Sequence, residues 1–418
     1  MPLSFVERLV CSKCGTRYDP DEDPVMCRRR DLGRLDVVYD YDRVSEKVDR
    51  RSLGSRKPRD VWRYEELLPV SPKFAVRLGE GGTPLVRARR LAERLGMRDL
   101  LLKDDTRNPT ASFKDRAMAV GSAKAVELMK KDVAIASSGN AAASLAAYSA
   151  SAGMKCHAFV PPDAAAGKIA QLLLYGASIT KCKQVKEGED ATVQAMLDSV
   201  DRFGYYPCPS FGPFNPYQVE GPKTIVYEIY EQLGWEGLDA ILVPTGSGCL
   251  LTGVWKGLQD LKELGMIASY PRIVAVQPSG NQALVRAIQE GAGMEGLVPE
   301  PYPASVAGGL LDPYPWDGDA AMAGVRKTRG AGVSVSDREI LKSVRELAAY
   351  EGIFAEPSGA AGLAGLEKLL SEGGLGRKER VAVLVTGSGL KEPGRVIEMF
   401  EGRKREGGRK GRRSRPVL

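Results

Sequence analysis

Short apolar runs alternate with segments of helical period from about residue 76 onward, and this alternation restricts the fold more than any other feature of the sequence. The runs are rich in Val, Ile and Ala and cover residues 133–135, 158–160, 241–243, 273–276 and 381–385. Helical segments such as 218–233 and 337–351 separate them. Strands covered by helices on both faces give continuous apolar runs of this kind. The sequence therefore predicts an α/β fold with doubly wound, parallel sheets.

Three of the predicted strands end in polar turns that contain glycine. The turns are Ser-Ser-Gly-Asn at 137–140 and the tetrapeptide Thr-Gly-Ser-Gly at both 245–248 and 386–389. Open α/β sheets bind their ligands at the carboxyl ends of the strands. We therefore expect the three turns to meet at one ligand-binding edge.

The two identical turns lead into different kinds of segment, and the difference predicts separate roles. A helical pattern begins after Gly248, whereas the chain after Gly389 breaks off quickly at Pro393. Backbone N–H groups at a helix start can bind phosphate. The predicted phosphate loop therefore consists of Gly246, Ser247, Gly248 and Cys249. Thr386 is better suited to offer one hydroxyl group to the edge of a ligand.

Residues 108–116 read Asn-Pro-Thr-Ala-Ser-Phe-Lys-Asp-Arg, which predicts a turn that places Lys114 in the first turn of a helix. Asn-Pro is a turn signal, and Ser112 with Asp115 fits a capping box at the helix start. The positive end of the helix dipole disfavours the ammonium form of Lys114. A neutral lysine amine is a nucleophile that can hold an aldehyde as a Schiff base. A solvated surface lysine is the alternative that this local pattern leaves open.

Composition and charge argue against several other functions. Eight Lys and Arg side chains and two Glu in residues 401–418 contribute +6 of the formal charge of +7. The body therefore has no charge excess that predicts a nucleic-acid-binding face, and the basic tail is expected to be disordered. His157 is the only histidine and lies in a predicted strand, which removes Ser-His-Asp triads and most His-metal catalysis. The lack of an apolar run of about 18 residues predicts a soluble, cytoplasmic protein.

Seven cysteines in a chain without an export signal predict reduced thiols or a metal site instead of disulfides. Cys11, Cys14 and Cys27 have part of the spacing of a zinc ribbon. A second Cys-x-x-Cys pair would place the fourth thiolate at position 30, which is Arg30. We therefore expect no bound metal, with these three cysteines as weak candidates, and a ribbon-like extension that packs without zinc.

Four motifs in one order support a family assignment. They are the 108–116 segment, Ala-Ser-Ser-Gly-Asn at 136–140, Val-Pro-Thr-Gly-Ser-Gly-Cys at 243–249 and Thr-Gly-Ser-Gly-Leu-Lys-Glu-Pro at 386–393. This set resembles the threonine synthases among the pyridoxal-phosphate enzymes of the tryptophan-synthase β-subunit type, also called fold type II. The resemblance implies pyridoxal 5'-phosphate as the cofactor. It also implies the conversion of O-phosphohomoserine and water to threonine and phosphate, which is the work of a carbon–oxygen lyase.

The resemblance implies a role for each candidate residue. Lys114 would carry the cofactor as a Schiff base and act as the base at the substrate Cα, next to Phe113. Asn140 would bond to the ring oxygen, the 246–249 loop would hold the phosphate, and Thr386 would face the ring nitrogen. The substrate carboxylate would be held by Ser137, Ser138 and Gly139.

Two alternatives stay open beside this assignment. Gln218 stands where threonine synthases often carry an arginine that helps to bind the substrate phosphate. A β-eliminating dehydratase or ammonia-lyase that acts on a hydroxy- or diamino-acid is therefore the alternative with the same cofactor. A non-catalytic protein that binds its partner through the basic tail is the alternative from another class.

The resemblance also implies a division of the chain into two lobes with additions at both ends. The large cofactor-binding domain would comprise residues 76–114 and 216–400, and the small substrate-side domain would comprise 115–215. Residues 1–75 would form the ribbon-like extension, and 401–418 the disordered tail. Because this family is commonly dimeric, we expect a homodimer. We expect the protein to bind a small, phosphorylated amino acid as its substrate. We expect it to bind no membrane and no specific nucleic acid.

Overall fold

The computed structural model describes residues 4–162, 164, 166–183 and 190–394. The predicted tail 401–418 lies outside them. In chain order, strands β1 to β13 of the described residues are Val6–Cys11, Arg17–Tyr18, Leu35–Tyr39, Leu85–Arg87, Asp99–Asp104, Asp132–Ala136, Lys155–Val160, Ser178–Lys181, Tyr206–Pro207, Ala240–Pro244, Arg272–Pro278, Ala331–Val335 and Arg380–Val385. Helices α1 to α14 are Tyr41–Ser45, Arg50–Ser55, Arg89–Leu95, Lys114–Glu127, Asn140–Ala152, Ala166–Leu174, Ala191–Phe203, Pro216–Glu220, Thr224–Gln232, Cys249–Glu263, Ala283–Gln289, Gly318–Lys327, Asp337–Glu351 and Pro357–Glu372.

Two sheets of parallel strands form the body of the protein. The larger has six strands in the order β12-β11-β10-β13-β5-β4, and β4 at its edge runs antiparallel to β5. The smaller has four parallel strands in the order β8-β7-β6-β9. The five apolar runs of the sequence became β6, β7, β10, β11 and β13. The predicted α/β fold with parallel sheets is therefore confirmed.

Helices cover both faces of the larger sheet. Successive residues of β10 belong to different hydrophobic clusters: Ile241 packs with Leu251 of α10, whereas Leu242 packs with Leu363 of α14. Side chains alternate between the two faces of a strand, so α10 and α14 lie on opposite faces. This arrangement is the doubly wound architecture that the continuous apolar runs predicted.

The two parallel sheets come from different parts of the chain. Strands of the smaller sheet lie within residues 132–207, and those of the larger sheet within 85–104 and 240–385. These ranges fall inside the predicted small domain 115–215 and the two predicted parts of the large domain, whose boundaries stay predictions. No helix of the described residues is both long enough and apolar enough to span a bilayer.

The amino-terminal residues form a third sheet of three antiparallel strands in the order β2-β1-β3. Tyr39 at the end of β3 donates its hydroxyl to Glu220 Oε2 at 2.9 Å. Arg30 Nη1 donates to Asp201 Oδ2 at 2.8 Å, and Asp201 lies on α7. The ribbon-like extension is therefore joined by polar bonds to α8 and to α7.

The single helix predicted over residues 218–233 is wrong, because the structure divides this segment between α8 and α9. Gly221 lies at the break, packed against the carbonyl oxygen of Arg116. A Cβ atom at position 221 would come within 2.0 Å of that oxygen. The close approach of two backbones therefore requires glycine at this position, a requirement that helical period alone does not reveal.

Arg116 anchors the start of α4 to Asp105, which follows β5, and to Glu228 on α9. Its fully buried guanidinium donates to Asp105 Oδ2 at 2.8 Å through Nε and to Glu228 Oε1 at 2.6 Å through Nη1. Lys103 Nζ donates to the other oxygen of Glu228 at 2.6 Å. Buried charges are tolerated when they are paired and fully hydrogen-bonded. Because Asp105 follows β5 and Glu228 lies on α9, the helix that begins at Lys114 is fixed to two elements at once.

We predict that Glu228→Gln lowers the free energy of unfolding by about 3–5 kcal/mol at neutral pH, because two buried cations lose their shared counter-charge. Burial opposes ionisation of Glu228, but the charges of Arg116 and Lys103 lower its pKa from 4.5 to about 2. The stabilisation is therefore complete above about pH 4.5 and is lost as the pH falls towards 2. Urea unfolding of both proteins at pH 7 and pH 3 measures the difference.

Glu236→Gln is the matched control, since the side chain of Glu236 is 59% exposed where it pairs with Arg380. We expect this control to change the free energy of unfolding by less than about 1 kcal/mol. Equal effects of the two substitutions would contradict the role given to Glu228. So would a penalty for Glu228→Gln that fails to shrink on acidification.

Candidate active site

A cavity of about 290 Å³ opens where β6, β10 and β13 end. Every residue that the sequence assigned to cofactor or substrate lines it: Phe113, Lys114, Ser137, Ser138, Gly139, Asn140, Gly246, Ser247, Gly248, Cys249 and Thr386. The structure therefore brings the predicted set together at one edge, and the individual roles stay predictions. Cys11, Cys14 and Cys27 lie together in the extension, outside this cavity.

Lys114 is the first residue of α4, as the sequence predicted. Its Nζ donates to Ser210 Oγ at 3.1 Å and lies 5.0 Å from the centroid of the Phe113 ring. Ser210 adopts a φ of 65°, a left-handed conformation that is rare for residues other than glycine. Such strained backbone is concentrated at functional sites. The amine is therefore held by one hydroxyl group on a strained turn.

The capping box predicted from Ser112 and Asp115 is wrong. Phe113 precedes the helix without a side-chain cap, and Ser112 instead pairs with Gly387 in an isolated β-bridge. The Asp115 carboxylate accepts from Thr110 N at 2.7 Å and from Thr110 Oγ1 at 2.6 Å. Asp115 therefore closes the turn before Lys114 from inside the helix, because backbone pairing has taken Ser112 out of the capping position.

The glycine loop after β10 already binds an anionic oxygen. Ser247 N donates to Asp312 Oδ2 at 2.9 Å, and a Cβ at position 246 would lie 2.7 Å from the same oxygen. Gly248 has a φ of 96° and leads directly into α10, whose 15 residues begin at Cys249. Backbone N–H groups at a helix start favour negative charge. The loop therefore has the geometry of an anion site, with the carboxylate of Asp312 as a stand-in for a phosphate oxygen.

Burial raises the pKa of two groups beside this loop, the carboxyl group of Asp312 and the thiol of Cys249. The positive charge of Lys114 partly offsets the rise in the pKa of Asp312. Burial raises the pKa of the Cys249 thiol to about 12, so that Cys249 is a neutral group at neutral pH. Cys249 therefore adds no negative charge to the loop.

Asp317 supports the loop from behind. Its backbone N donates to Ser247 O at 2.9 Å, and its carboxylate accepts from Gly212 N at 3.1 Å. Burial raises the pKa of Asp317 to about 7, although the guanidinium of Arg34 opposes the shift. The Nη1 atom of Arg34 lies 3.9 Å from Asp317 Oδ1. Because Arg34 precedes β3, the amino-terminal extension contributes charge to the support of the loop.

Asn140 is held on both sides of its amide at the start of α5. Its Nδ2 donates to Glu356 Oε1 at 2.7 Å, and its Oδ1 accepts from Lys391 Nζ at 2.9 Å. Glu356 lines the cavity and precedes α14. These two bonds fix which end of the amide is the donor and which is the acceptor.

Gln218, the position at which the sequence suggested a missing phosphate-binding arginine, does not line the cavity. Its fully buried side chain accepts from Ser210 N at 2.9 Å and donates from Nε2 to Met118 Sδ at 3.1 Å. Gln218 therefore supports the turn that carries the Ser210 hydroxyl.

Four residues of the site were not found in the sequence: Ser210, Asp312, Glu356 and Lys391. Ser210 and Asp312 lie in irregular segments, where no period or motif distinguishes them. Lys391 lies in the 386–393 motif, and Glu356 precedes a proline at a helix start. Neither pattern reveals which residue the side chain bonds to. Only the folded chain shows that both bond to Asn140.

The chain matches the family of pyridoxal-phosphate-dependent enzymes over residues 76–387. The threonine synthase of Methanocaldococcus jannaschii is 38% identical over 393 residues, which cover 94% of each protein. That of Methanosarcina acetivorans is 39% identical over 394 residues, again 94% of each.

Solved structures show the same fold. Maize serine racemase superposes with a TM-score of 0.63 at 22% identity, and the match covers 78% of this chain and 93% of that one. Threonine deaminase isoform 2 of Solanum lycopersicum gives a TM-score of 0.64 at 21% identity, over 76% and 87%. The predicted fold type II architecture is confirmed, and the chain belongs to the threonine synthase family of pyridoxal-phosphate-dependent enzymes.

Proposed function

We propose that this protein is a threonine synthase that converts O-phosphohomoserine and water to threonine and inorganic phosphate. The observation that carries the proposal is the position of Lys114, whose amine lies in one cavity with the glycine loop and Thr386. Two relatives named threonine synthase match along 94% of the chain, which supports assigning the activity in their name. Pyridoxal phosphate is the cofactor of the family to which the chain belongs.

The residues of the cavity fit this cofactor. The N–H group of Ser247 already donates to a carboxylate oxygen, so a phosphate oxygen suits the same place. Lys114 offers its amine to the aldehyde, and Asn140 and Thr386 offer polar groups to the ring. When bound, pyridoxal phosphate withdraws electrons from the amino-bearing carbon of the substrate and stabilises negative charge there. Thr386 adds a neutral hydroxyl and no negative charge beside the ring.

Lys114 is also the group that we assign to proton transfer. Its Nζ takes the proton from the substrate Cα and later returns it. The Ser210 hydroxyl accepts a hydrogen bond from this Nζ at 3.1 Å and so sets its direction. The strained turn at Ser210 is held in turn by Gln218. The proton donor and acceptor are thus the same amine, positioned by a neutral group.

The start of α5 is the place that we assign to the substrate carboxylate. α5 has 13 residues, and Gly139 precedes its first turn without a side-chain cap. Uncapped N–H groups at a helix start attract an anion. The hydroxyl groups of Ser137 and Ser138 line the cavity beside this helix start. A carboxylate bound here would hold the substrate in the cavity that also contains the Lys114 amine.

The proposal includes a phosphorylated substrate, a homodimer and a cytoplasmic location. The support for all three is the family membership. Among the described residues that line the cavity, Lys114 is the only cationic side chain. The substrate phosphate must therefore be held mainly by hydroxyl and backbone N–H donors in this part of the chain.

Products distinguish the proposed activity from its alternative. We predict that the cofactor-loaded full chain, given O-phosphohomoserine, releases phosphate and threonine in equal amounts. Lys114→Ala should show no turnover above background, because it removes the amine that moves the Cα proton. A 2-oxo acid with ammonia, formed from serine, threonine or a diamino acid in place of threonine synthesis, would contradict the proposal and support a β-eliminating lyase.

Removal of the Ser210 hydroxyl should slow turnover without weakening substrate binding. We predict that Ser210→Ala lowers kcat roughly tenfold to hundredfold and leaves KM nearly unchanged, because Lys114 loses the group that orients it. Ser210→Gly separates the two features of this position. It also lacks the hydroxyl but suits the φ of 65°, since glycine adopts positive φ without strain. Steady-state kinetics of both variants should show the same loss.

Ser122→Ala is the matched control on α4. The Ser122 hydroxyl is buried and has no hydrogen-bond partner, so its loss should leave kcat within about twofold. Recovery of full activity in Ser210→Gly, but not in Ser210→Ala, would show that the backbone conformation matters and the hydroxyl does not. That outcome would contradict the positioning role of Ser210.

A further inference from the structure

Four potential metal ligands meet in the amino-terminal extension, although they are scattered over 21 residues of sequence. They are the thiols of Cys11, Cys14 and Cys27 and the carboxylate of Asp31. One ligand atom from each lies within 4.8 Å of all the others. Cys11 and Cys27 are buried, so the cluster is an interior feature of the extension. The sequence-based expectation of no metal rested on a missing fourth ligand, and the folded chain places Asp31 where a fourth ligand would lie.

The separations match those of a tetrahedral zinc site. Zn–S bonds of about 2.3 Å and Zn–O bonds of about 2.0 Å at tetrahedral angles place two sulfur atoms ~3.8 Å apart, and a sulfur and an oxygen ~3.5 Å apart. Cys14 Sγ lies 3.6 Å from Cys27 Sγ, and Cys11 Sγ lies 3.6 Å from Asp31 Oδ1. These separations are those of atoms that share one small cation, and they are far longer than the disulfide bond length of about 2.0 Å.

The backbone forms one tight turn at each half of the cluster. In the first turn, Gly15 has a φ of 70° and donates its N–H to Cys11 O at 2.9 Å. In the second, Arg30 has a φ of 47° and donates its N–H to Cys27 O at 2.8 Å. Both turns point their flanking side chains to the same centre. The second turn presents Asp31, one residue later than a Cys-x-x-Cys pair would, which is why the cysteine spacing alone failed to reveal it.

Hydrogen-bond donors surround the ligand atoms. Cys14 N donates to Cys11 Sγ at 3.5 Å, and the Tyr18 hydroxyl donates to Cys27 Sγ at 3.3 Å. Gly33 N donates to Asp31 Oδ1 at 3.0 Å. Three thiolates and one carboxylate exceed the charge of a divalent ion by two units, and such donors offset the excess. The groups around the cluster therefore suit anionic ligands around a cation.

We propose that Cys11, Cys14, Cys27 and Asp31 bind one zinc ion, which holds the extension in its docked position. Among divalent ions that have no redox chemistry, zinc is the one that prefers a tetrahedral set of ligands rich in sulfur. With all four positions filled by the protein, the site is structural. It does not act on the substrate.

The metal would fix the segment that carries Arg34. Ser12, between the first two ligands, donates its N–H to Arg34 O at 2.8 Å, and Gly33 bonds to Asp31. Arg34 in turn forms an ion pair with Asp319 and lies close to Asp317 behind the glycine loop. Loss of zinc should therefore loosen the support of the glycine loop at 246–249 as well as the extension itself.

Elemental analysis of the untagged, full-length protein tests the proposal. The protein is reduced, incubated with zinc chloride and passed through a desalting column. We expect about one zinc ion per chain in the parent protein and in the control Cys182→Ser, whose partly exposed thiol lies outside the cluster. Cys14→Ser should retain far less. Asp31→Cys should keep the ion, because a fourth thiolate replaces the carboxylate.

A second measurement keeps the test decisive if Cys14→Ser fails to fold. Co2+ bound in place of zinc absorbs in the near ultraviolet through its thiolate bonds and in the visible with the intensity of a tetrahedral site. We expect both bands in the parent protein and a changed visible band in Asp31→Cys. Three results would overturn the proposal: no metal bound by the parent protein after incubation with zinc chloride, iron in place of zinc in the chain as first purified, or a Cys14–Cys27 disulfide in the freshly purified chain.

Discussion

The buried ion pairs of Arg116 are the constraint on which the active site depends. Arg116 lies two residues after Lys114 on α4, and its bonds to Asp105 and Glu228 leave the helix start no freedom to shift. Any displacement would leave a buried charge without its partner, which is strongly destabilising. Asp115, between them, closes the preceding turn by accepting from Thr110. Of three consecutive side chains, Lys114 lines the cavity, Asp115 closes the preceding turn, and Arg116 bonds to elements beside the larger sheet.

The glycine loop at 246–249, in the same cavity, is also held by residues from other segments. The glycine loop donates to the carboxylate of Asp312, and Asp317 holds the loop from behind with Arg34 beside it. Arg34 comes from the amino-terminal extension, which supplies no described residue to the cavity lining. The extension is therefore part of the electrostatic support of the site.

Sequence patterns predicted what depends on local rules. Apolar runs predicted the parallel strands. Glycine turns at the strand ends predicted residues that line one cavity, namely 246–249 and Thr386, and their individual roles stay predictions. Features that depend on contacts between distant segments were missed or wrong. Ser112 pairs with Gly387 and does not cap the helix, Gly221 packs against the Arg116 backbone at the break between α8 and α9, and Gln218 bonds to Ser210 outside the cavity lining. No period or spacing encodes these contacts.

The central claim is that Lys114 is the amine that carries the cofactor. Borohydride reduction of the cofactor-loaded full chain makes that attachment permanent, and digestion followed by mass spectrometry then locates it. We expect one label per chain, on the peptide that contains Lys114. A label on Lys391, whose amine lies near the cavity at Asn140, or on Lys103, or the lack of any label, would contradict it.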